Sequence, residues 1–506
     1  MTGYSPGALD DLKKKMAHAA IKWVMYDEPV RWDGDAESGF YGASWEGKLP
    51  PVSGPTGTVR LKYFPPLLSF AAGAPPGAKV VGDGATEMGQ PYYLYEVDPW
   101  TDIYEPWIDR IEDAFKGWNG IPEPGDFSGP IESIRKAVVA LTPLPAGEGG
   151  PDNPGDPGGE FGTTYTSVEL NTALGTMDEF IGAGTAGADE GLLIYAFRQG
   201  YGPDRIRGIM GNQGQAAIVL GISLLAEQKI WAGAGKDIMA IAEKAADSFR
   251  PGGAGGDQID LEVVKAFKDL VVGFLPAPVQ TVVDTGEKVL NLVGTLLPET
   301  PQGDSSVELD GYTPDEVYNS LVDIIAKLEQ RVFDQEYEVA YSTLDGLLDY
   351  MYENAGSQFH IHPTKGIDTD LASAPRLTVH PEYLKKIGYQ LVPRIAANLG
   401  HAAEDAQAAD KPDIWTRTNY IGLSPNGPYP RWSEVLGEFD AVTTGSGKEL
   451  VEAGRLLAVG AGFVQDTDGD VQEALQGVQD DLDRGSDEWV NKPPEYPYGY
   501  GYGGPH

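Results

Sequence analysis

The chain has 506 residues, 41% of them hydrophobic and 10% aromatic, with a net charge of −39 and a pI near 4.3. That length divides into roughly two to four domains with real apolar cores. A surface this acidic repels nucleic acid and anionic lipid. The absence of cysteine excludes disulfides, a thiolate nucleophile and a cysteine-based metal centre.

The first expected element is a short amphipathic helix over residues 8–25. It carries Lys13, Lys14 and Lys15 but no following apolar run, so it does not read as a signal peptide. Nowhere does the sequence approach the ~18–20 apolar residues of a membrane span, so export would need a leaderless route. Glycine, proline and aromatics crowd residues 27–98, with β-type pieces at 58–64 and 92–97. Residues 1–99 are therefore expected to be an irregular N-terminal region with a few short strands.

Helical periodicity begins at residues 98–116, where Trp107, Ile111 and Phe115 form a stripe. It breaks at 117–124, resumes over 127–141, and gives way to a proline- and glycine-rich linker at 143–160. Helices are expected at 169–181 and 192–199. Gly208, Gly211 and Gly214 should loosen the next stretch, before Leu220, Leu224, Trp231, Ile238, Ile241, Ala245 and Phe249 restore a long stripe. A helix that long needs partner helices, because propensity alone does not hold it. Residues 100–250 are read as a first helical domain. Residues 251–304 are read as an amphipathic helical linker, whose apolar part at 261–297 is broken at Pro276 and Pro278. It is taken as core, with weak membrane contact as the alternative.

A long helix is expected over 315–352, with Thr313 as N-cap, Pro314 at the first position and Glu316 closing a capping box. Residues 383–409 form the next, kinked at Pro393. A loop over 411–431 and a short helix at 432–439 lead to Gly445-Ser446-Gly447, read as a turn with Ser446 or Thr444 as cap. Beyond it, Leu450, Ala453, Leu457, Ala461, Val464, Val471 and Leu475 repeat at helical spacing. Residues 305–485 are thus a second helical hairpin domain, and 486–506 a disordered tail rich in tyrosine, glycine and proline. The expected fold class is mainly α, built of long antiparallel helix hairpins.

Chemistry is sparse. Gly-x-Ser-x-Gly, His-Glu-x-x-His and Walker A motifs are all missing. His360 and His362 alternate as on one face of a strand, and Asp368, Asp370 or His380 could complete a metal site; solvated loop histidines are the alternative. The Asp466–Asp470 cluster puts glycine two places too early for an EF-hand and ends without its glutamate. No catalytic, cofactor-binding or metal-ligating residue is assigned, and a non-enzymatic protein is expected. A toxin or metal-dependent hydrolase with a site between His360 and Asp370 is the alternative.

Trp-x-Gly occurs four times. One copy, Trp118 and Gly120, falls between two helical stretches, where a tryptophan can plug the open end of a hairpin and glycine allows the bend. Another, Trp231 and Gly233, lies within a predicted helix. In the closing helix Phe463 precedes Thr467 and Asp468. These features, with residues 197–249 (Glu227 to Trp231 at their centre) and 383–475, resemble the WXG100 (ESAT-6-like) superfamily and EspB-like helical proteins of actinobacterial type VII secretion. The resemblance implies a secreted substrate or assembly partner acting through helix packing, without cofactor. Its partners would be type VII secretion components and a helical protein or a second copy, not nucleic acid. It also implies a leaderless route to the medium or cell surface; a cytoplasmic scaffold of the same fold is the alternative. The family's export signal, Tyr-x-x-x-Asp/Glu, is matched by Tyr341 and Asp345, and also by Tyr92 and Glu96.

Overall fold

A computed structural model of the chain describes residues 4–27, 30–31, 59–63, 79–80, 93–97, 105–143, 164–182, 192–250, 254–263, 274–275, 306–361, 380–417, 421–423 and 425–466. The architecture is mainly α, as the periodicity predicts. Two strands fall where the sequence places them: β2 (Val59–Tyr63) pairs antiparallel with β4 (Tyr93–Val97). Short β1 (Val30–Arg31) and β3 (Lys79–Val80) flank them, giving the order β1-β2-β4-β3.

The helices are α1 (Pro6–Asp27), α2 (Glu105–Phe115), α3 (Ser128–Leu141), α4 (Thr164–Ile181), α5 (Leu192–Tyr201) and α6 (Pro203–Ser248). After these come α7 (Pro314–Gln335), α8 (Ser342–Asn354), α9 (Pro381–Lys386), α10 (Val392–Gln407) and α11 (Tyr429–Asp466). The stripe of Trp107, Ile111 and Phe115 is buried on α2.

The centre of the molecule is α6, whose 46 residues span about 69 Å at 1.5 Å per residue. It packs against α1, α3, α7, α8 and α11, so helices from both halves of the sequence share one apolar cluster. Gly208, Gly211 and Gly214 do not loosen it; the helix runs through all three. An interior glycine costs about 1 kcal/mol against alanine. Fully burying a side chain such as Ile206, Met210 or Leu220 gains about 1.5–3 kcal/mol each, so packing outweighs propensity here.

The second half begins with a strand pair the periodicity does not announce. β5 (Ala254–Asp260) runs antiparallel to β6 (Ser306–Gly311), with a register shift between Gly255 and Asp257. Val307 and Leu309 point inward. Asp237 of α6 anchors the ladder's exit, accepting from the Glu262 N–H at 2.7 Å and the Val263 N–H at 3.0 Å. Thr313 then caps α7 in a full capping box with Glu316, as expected. The long helix expected here is continuous but not uniform. A π-helical turn (Glu336–Tyr341) separates α7 from α8, and a second (Ala355–Phe359) follows α8.

A third π turn (Ile387–Leu391) joins α9 to α10. It sits just before Pro393, where a proline lacks the N–H for an α-helical bond and its ring crowds the preceding turn. The expected kink at Pro393 is this turn. Together α9 and α10 run antiparallel to α11. At their crossing a Cβ on Gly454 would stand 2.9 Å from Val392 Cγ1 and 3.0 Å from the Gly388 carbonyl oxygen, so only glycine permits the approach.

α11 corrects the expectation of a turn at Gly445-Ser446-Gly447: one helix covers 429–466. These small residues are a contact, not a break. Ser446 Oγ accepts from Gln213 Nε2 at 3.2 Å and from the Ile361 N–H at 3.0 Å. A Cβ on Gly445 would stand 2.6 Å from His360 Nε2. Leu450, Ala453, Leu457 and Ala461 are buried as the stripe predicts. The linker beyond residue 275, the continuation past Asp466 and the tail lie outside the described residues.

Candidate functional site

The most unusual chemistry in the fold is a buried ion cluster on α6. Glu227 lies three residues after Leu224 and four before Trp231, which places a carboxylate on the oily side of the helix. It accepts from Trp231 Nε1 at 3.0 Å. The opposite wall is the first π turn, whose extra residue per turn rotates Glu336 inward.

Between the two carboxylates comes Arg417, from the strap that joins α10 to α11. After a 3-10 turn (Pro412–Trp415) the strap dips into the core. Arg417 Nη2 lies 3.4 Å from Glu227 Oε2, Nη1 is ion-paired to Glu336, and the guanidinium stands over the Trp231 ring at 4.7 Å. All three charged side chains are 0% exposed. The strap's backbone completes the cluster: the Leu423 N–H donates to Glu336 Oε2 at 2.6 Å, and the Arg417 N–H donates to the Pro425 carbonyl at 2.9 Å. Gly422 and Gly427, at φ 67° and 54°, turn the strap where a Cβ would overlap Glu336 and Arg417 respectively.

A tryptophan lid covers the strap. Trp415 packs on Phe127 at 5.4 Å and on Trp432 at 5.8 Å, and Trp432 Nε1 donates to the Leu220 carbonyl at 3.1 Å. The bend of the α9–α11 hairpin is therefore plugged by Trp415 and Trp432 without a Trp-x-Gly.

The electrostatics are unbalanced. One guanidinium faces two carboxylates in a site without water contact, where an uncompensated charge is expensive. Burial raises the Glu227 pKa above its ordinary value of 4.5, against the opposing pull of Arg417 and the Trp231 hydrogen bond. Burial likewise lowers the Arg417 pKa from 12.5, partly offset by Glu227. Glu227 Oε1 has no hydrogen-bond partner among the described residues, which leaves it free to carry a proton. With no exposed atom, the cluster holds structure and a proton; a substrate does not reach it in this conformation.

Of the residues singled out by sequence, Trp118 and Gly120 lie in the 3-10 turn (Lys116–Gly120) after α2, with Trp118 fully buried. α1 clamps this bend: Tyr4 Oη donates to the Trp118 carbonyl at 2.5 Å, and Lys13 Nζ reaches Asn119 Oδ1 at 3.1 Å and Glu112 at 2.8 Å. The flanking helices diverge onto different neighbours, α2 onto α1 and α7, α3 onto α6 and α10. Trp231 and Gly233 stand inside α6; at Gly233 the Val263 backbone passes 3.0 Å from where a Cβ would be.

Tyr341 and Asp345 lie half-buried on the outer side of the π turn and α8. Arg431 of α11 bridges them: its Nη2 is 2.8 Å from Asp345 Oδ1 and 3.4 Å from Tyr341 Oη. Phe463 lies in α11 and its side chain is outside the described set, as are Asp468, His362, Asp368 and Asp370. His360 turns toward Gly445, and His380 precedes α9, so the two histidines sit on different elements.

Sequence reading missed Arg417 and Glu336. A signal existed for the acids: Glu227 and Glu336 both fall on buried stripes, Glu336 four residues after Val332. Nothing marks Arg417, one cation in a loop. Comparison with family models, with curated proteins and with solved structures returns no match for this chain.

Proposed function

We propose that the chain is a non-enzymatic helical protein of the type VII (ESX/WXG100) secretion pathway, a substrate or assembly partner that works by helix packing. The observation that carries this reading is the α9–α11 hairpin. It is an antiparallel pair over 381–466, closed by small residues along its seam and plugged by tryptophan at its bend. Further support comes from Trp118 and Gly120 at a bend between helices. Tyr341 and Asp345, the candidate export signal, add to it by lying on an accessible helical face. The buried cluster of Glu227, Glu336 and Arg417 has no exposed atom, which favours a structural protein over a hydrolase.

On this reading the protein reaches the medium or cell surface through an ESX-type apparatus, with its components and a helical protein as partners. The test is the extracellular level of the protein in a strain lacking the ESX ATPase. Loss of the extracellular form is expected, and Tyr341→Ala should reproduce it. Unchanged extracellular levels overturn the export reading, and recovery of all the protein in the cytoplasmic fraction of the wild-type strain replaces it with a scaffold.

A further inference from the structure

α7 is apolar on two sides. Its inner side, Val317, Leu321, Ile324, Leu328 and Val332, is buried against the rest of the fold. An outer side repeats at helical spacing through Val322, Ala326, Phe333 and Tyr337, and these residues are exposed: Val322 37%, Phe333 40% and Tyr337 50%. The rings continue without a gap across the π turn. Phe333 and Tyr337 lie parallel with centroids 6.3 Å apart, and Tyr337 and Tyr341 5.7 Å apart. From Val322 to Tyr337 the strip is about 22 Å long at 1.5 Å per residue, the footprint of four helical turns. Contiguous exposed apolar surface on a soluble fold marks an interaction site.

The flanks state the sign of the partner. Asp323, Asp334, Glu338 and Asp345 border the strip, and the chain as a whole carries −39. A second copy would bring the same acids against these, so self-association on this face is disfavoured. The fold itself supplies an example of the contact it favours. Arg431 sits 5.6 Å over the Tyr341 ring while its two terminal nitrogens reach Asp345 at 2.8 Å and Glu434 at 2.7 Å. A guanidinium held between an aromatic face and two carboxylates is what the remaining rungs of the ladder offer to an incoming cation.

We infer that the outer face of α7 and the adjoining π turn is a docking surface for a basic amphipathic helix. The helix would lay apolar residues at i, i+4, i+7 and i+11 along Val322, Ala326, Phe333 and Tyr337 and set Lys or Arg over the flanking carboxylates. This rests on the helix-packing part of the function proposed above and not on export.

The probe is a fluorescein-labelled 20-residue helical peptide with leucines at those four positions and lysines beside them. A control peptide replaces every lysine with glutamate. Binding to the full chain is read by fluorescence anisotropy at 50 and 300 mM salt. The expected result is micromolar binding of the lysine peptide, weakened at high salt, and no binding of the glutamate peptide. The F333S/Y337S double variant, whose charge is unchanged, should lose at least tenfold in affinity while keeping the wild-type circular dichroism and melting temperature. Equal binding of the lysine peptide by wild type and double variant means a diffuse charge attraction and overturns the proposal. So does a wild-type dimer in sedimentation that the double variant abolishes, which would make a second copy the occupant. Export in the ATPase-deficient strain is scored separately, so failure of the pathway reading and failure of this surface give different results.

Discussion

Glu227→Gln is the sharpest test of the buried cluster. In the unfolded chain the carboxyl ionises at its ordinary value of 4.5, whereas burial in the fold raises that value. Between the two, the folded protein holds a proton that the unfolded chain has released. The stability this group contributes is therefore complete below the unfolded pKa and is lost as pH rises toward the folded one, by about 1.4 kcal/mol per pH unit for one proton. Glutamine is close in shape to the protonated acid and neutral at every pH. Its amide oxygen can keep the bond from Trp231, and Arg417 is left to pair with Glu336 alone. The stability difference between Glu227→Gln and wild type should accordingly shift in the variant's favour by about 1.4 kcal/mol from about pH 5 to about pH 6. Urea unfolding followed by tryptophan fluorescence measures it, since Trp231, Trp415 and Trp432 all surround the strap. Other titrating groups are common to both proteins and cancel in the difference. A difference that does not change with pH, or that moves in the wild type's favour as pH rises, refutes the account of a retained proton.

The remaining predictions concern packing and caps. Arg417→Met removes the cation between two buried carboxylates and should cost about 3–5 kcal/mol, seen as a lower urea midpoint. Gly454→Leu forces a side chain into the Gly388 and Val392 contact and should cost about 1–3 kcal/mol or more, with a matching fall in melting temperature. Thr313→Ala removes the side-chain acceptor for the Glu316 N–H, 3.2 Å away, and should cost about 1 kcal/mol by the same melt.

Much of the fold is legible in the sequence because it is local. The stripes of α2, α6, α7 and α11, the capping box at Thr313 and the alternating pieces at 59–63 and 93–97 are signals contained within one element. What escapes is non-local. β5 reads Ala-Gly-Gly-Asp-Gln-Ile-Asp, a turn-like composition, and becomes a strand only because β6 lies beside it from almost fifty residues further on. Gly445-Ser446-Gly447 reads as a turn and is instead the point where α11 meets Gln213 and His360. The candidate site divides the same way. Glu227 and Glu336 are visible as acids on apolar stripes, but their meeting at Arg417 depends on a strap whose path no spacing encodes.

The length and position of α6 govern how the chain can be dissected. Its neighbours are drawn from residues 6–27 at one end of the sequence and from 429–466 at the other. A fragment ending before residue 306 would leave one flank of that rod bare to water, and a fragment beginning there would have no rod to lie on. Expressed separately, the halves should precipitate; expressed together, they should be recovered as a complex, with the central helix acting as the shared keel of both.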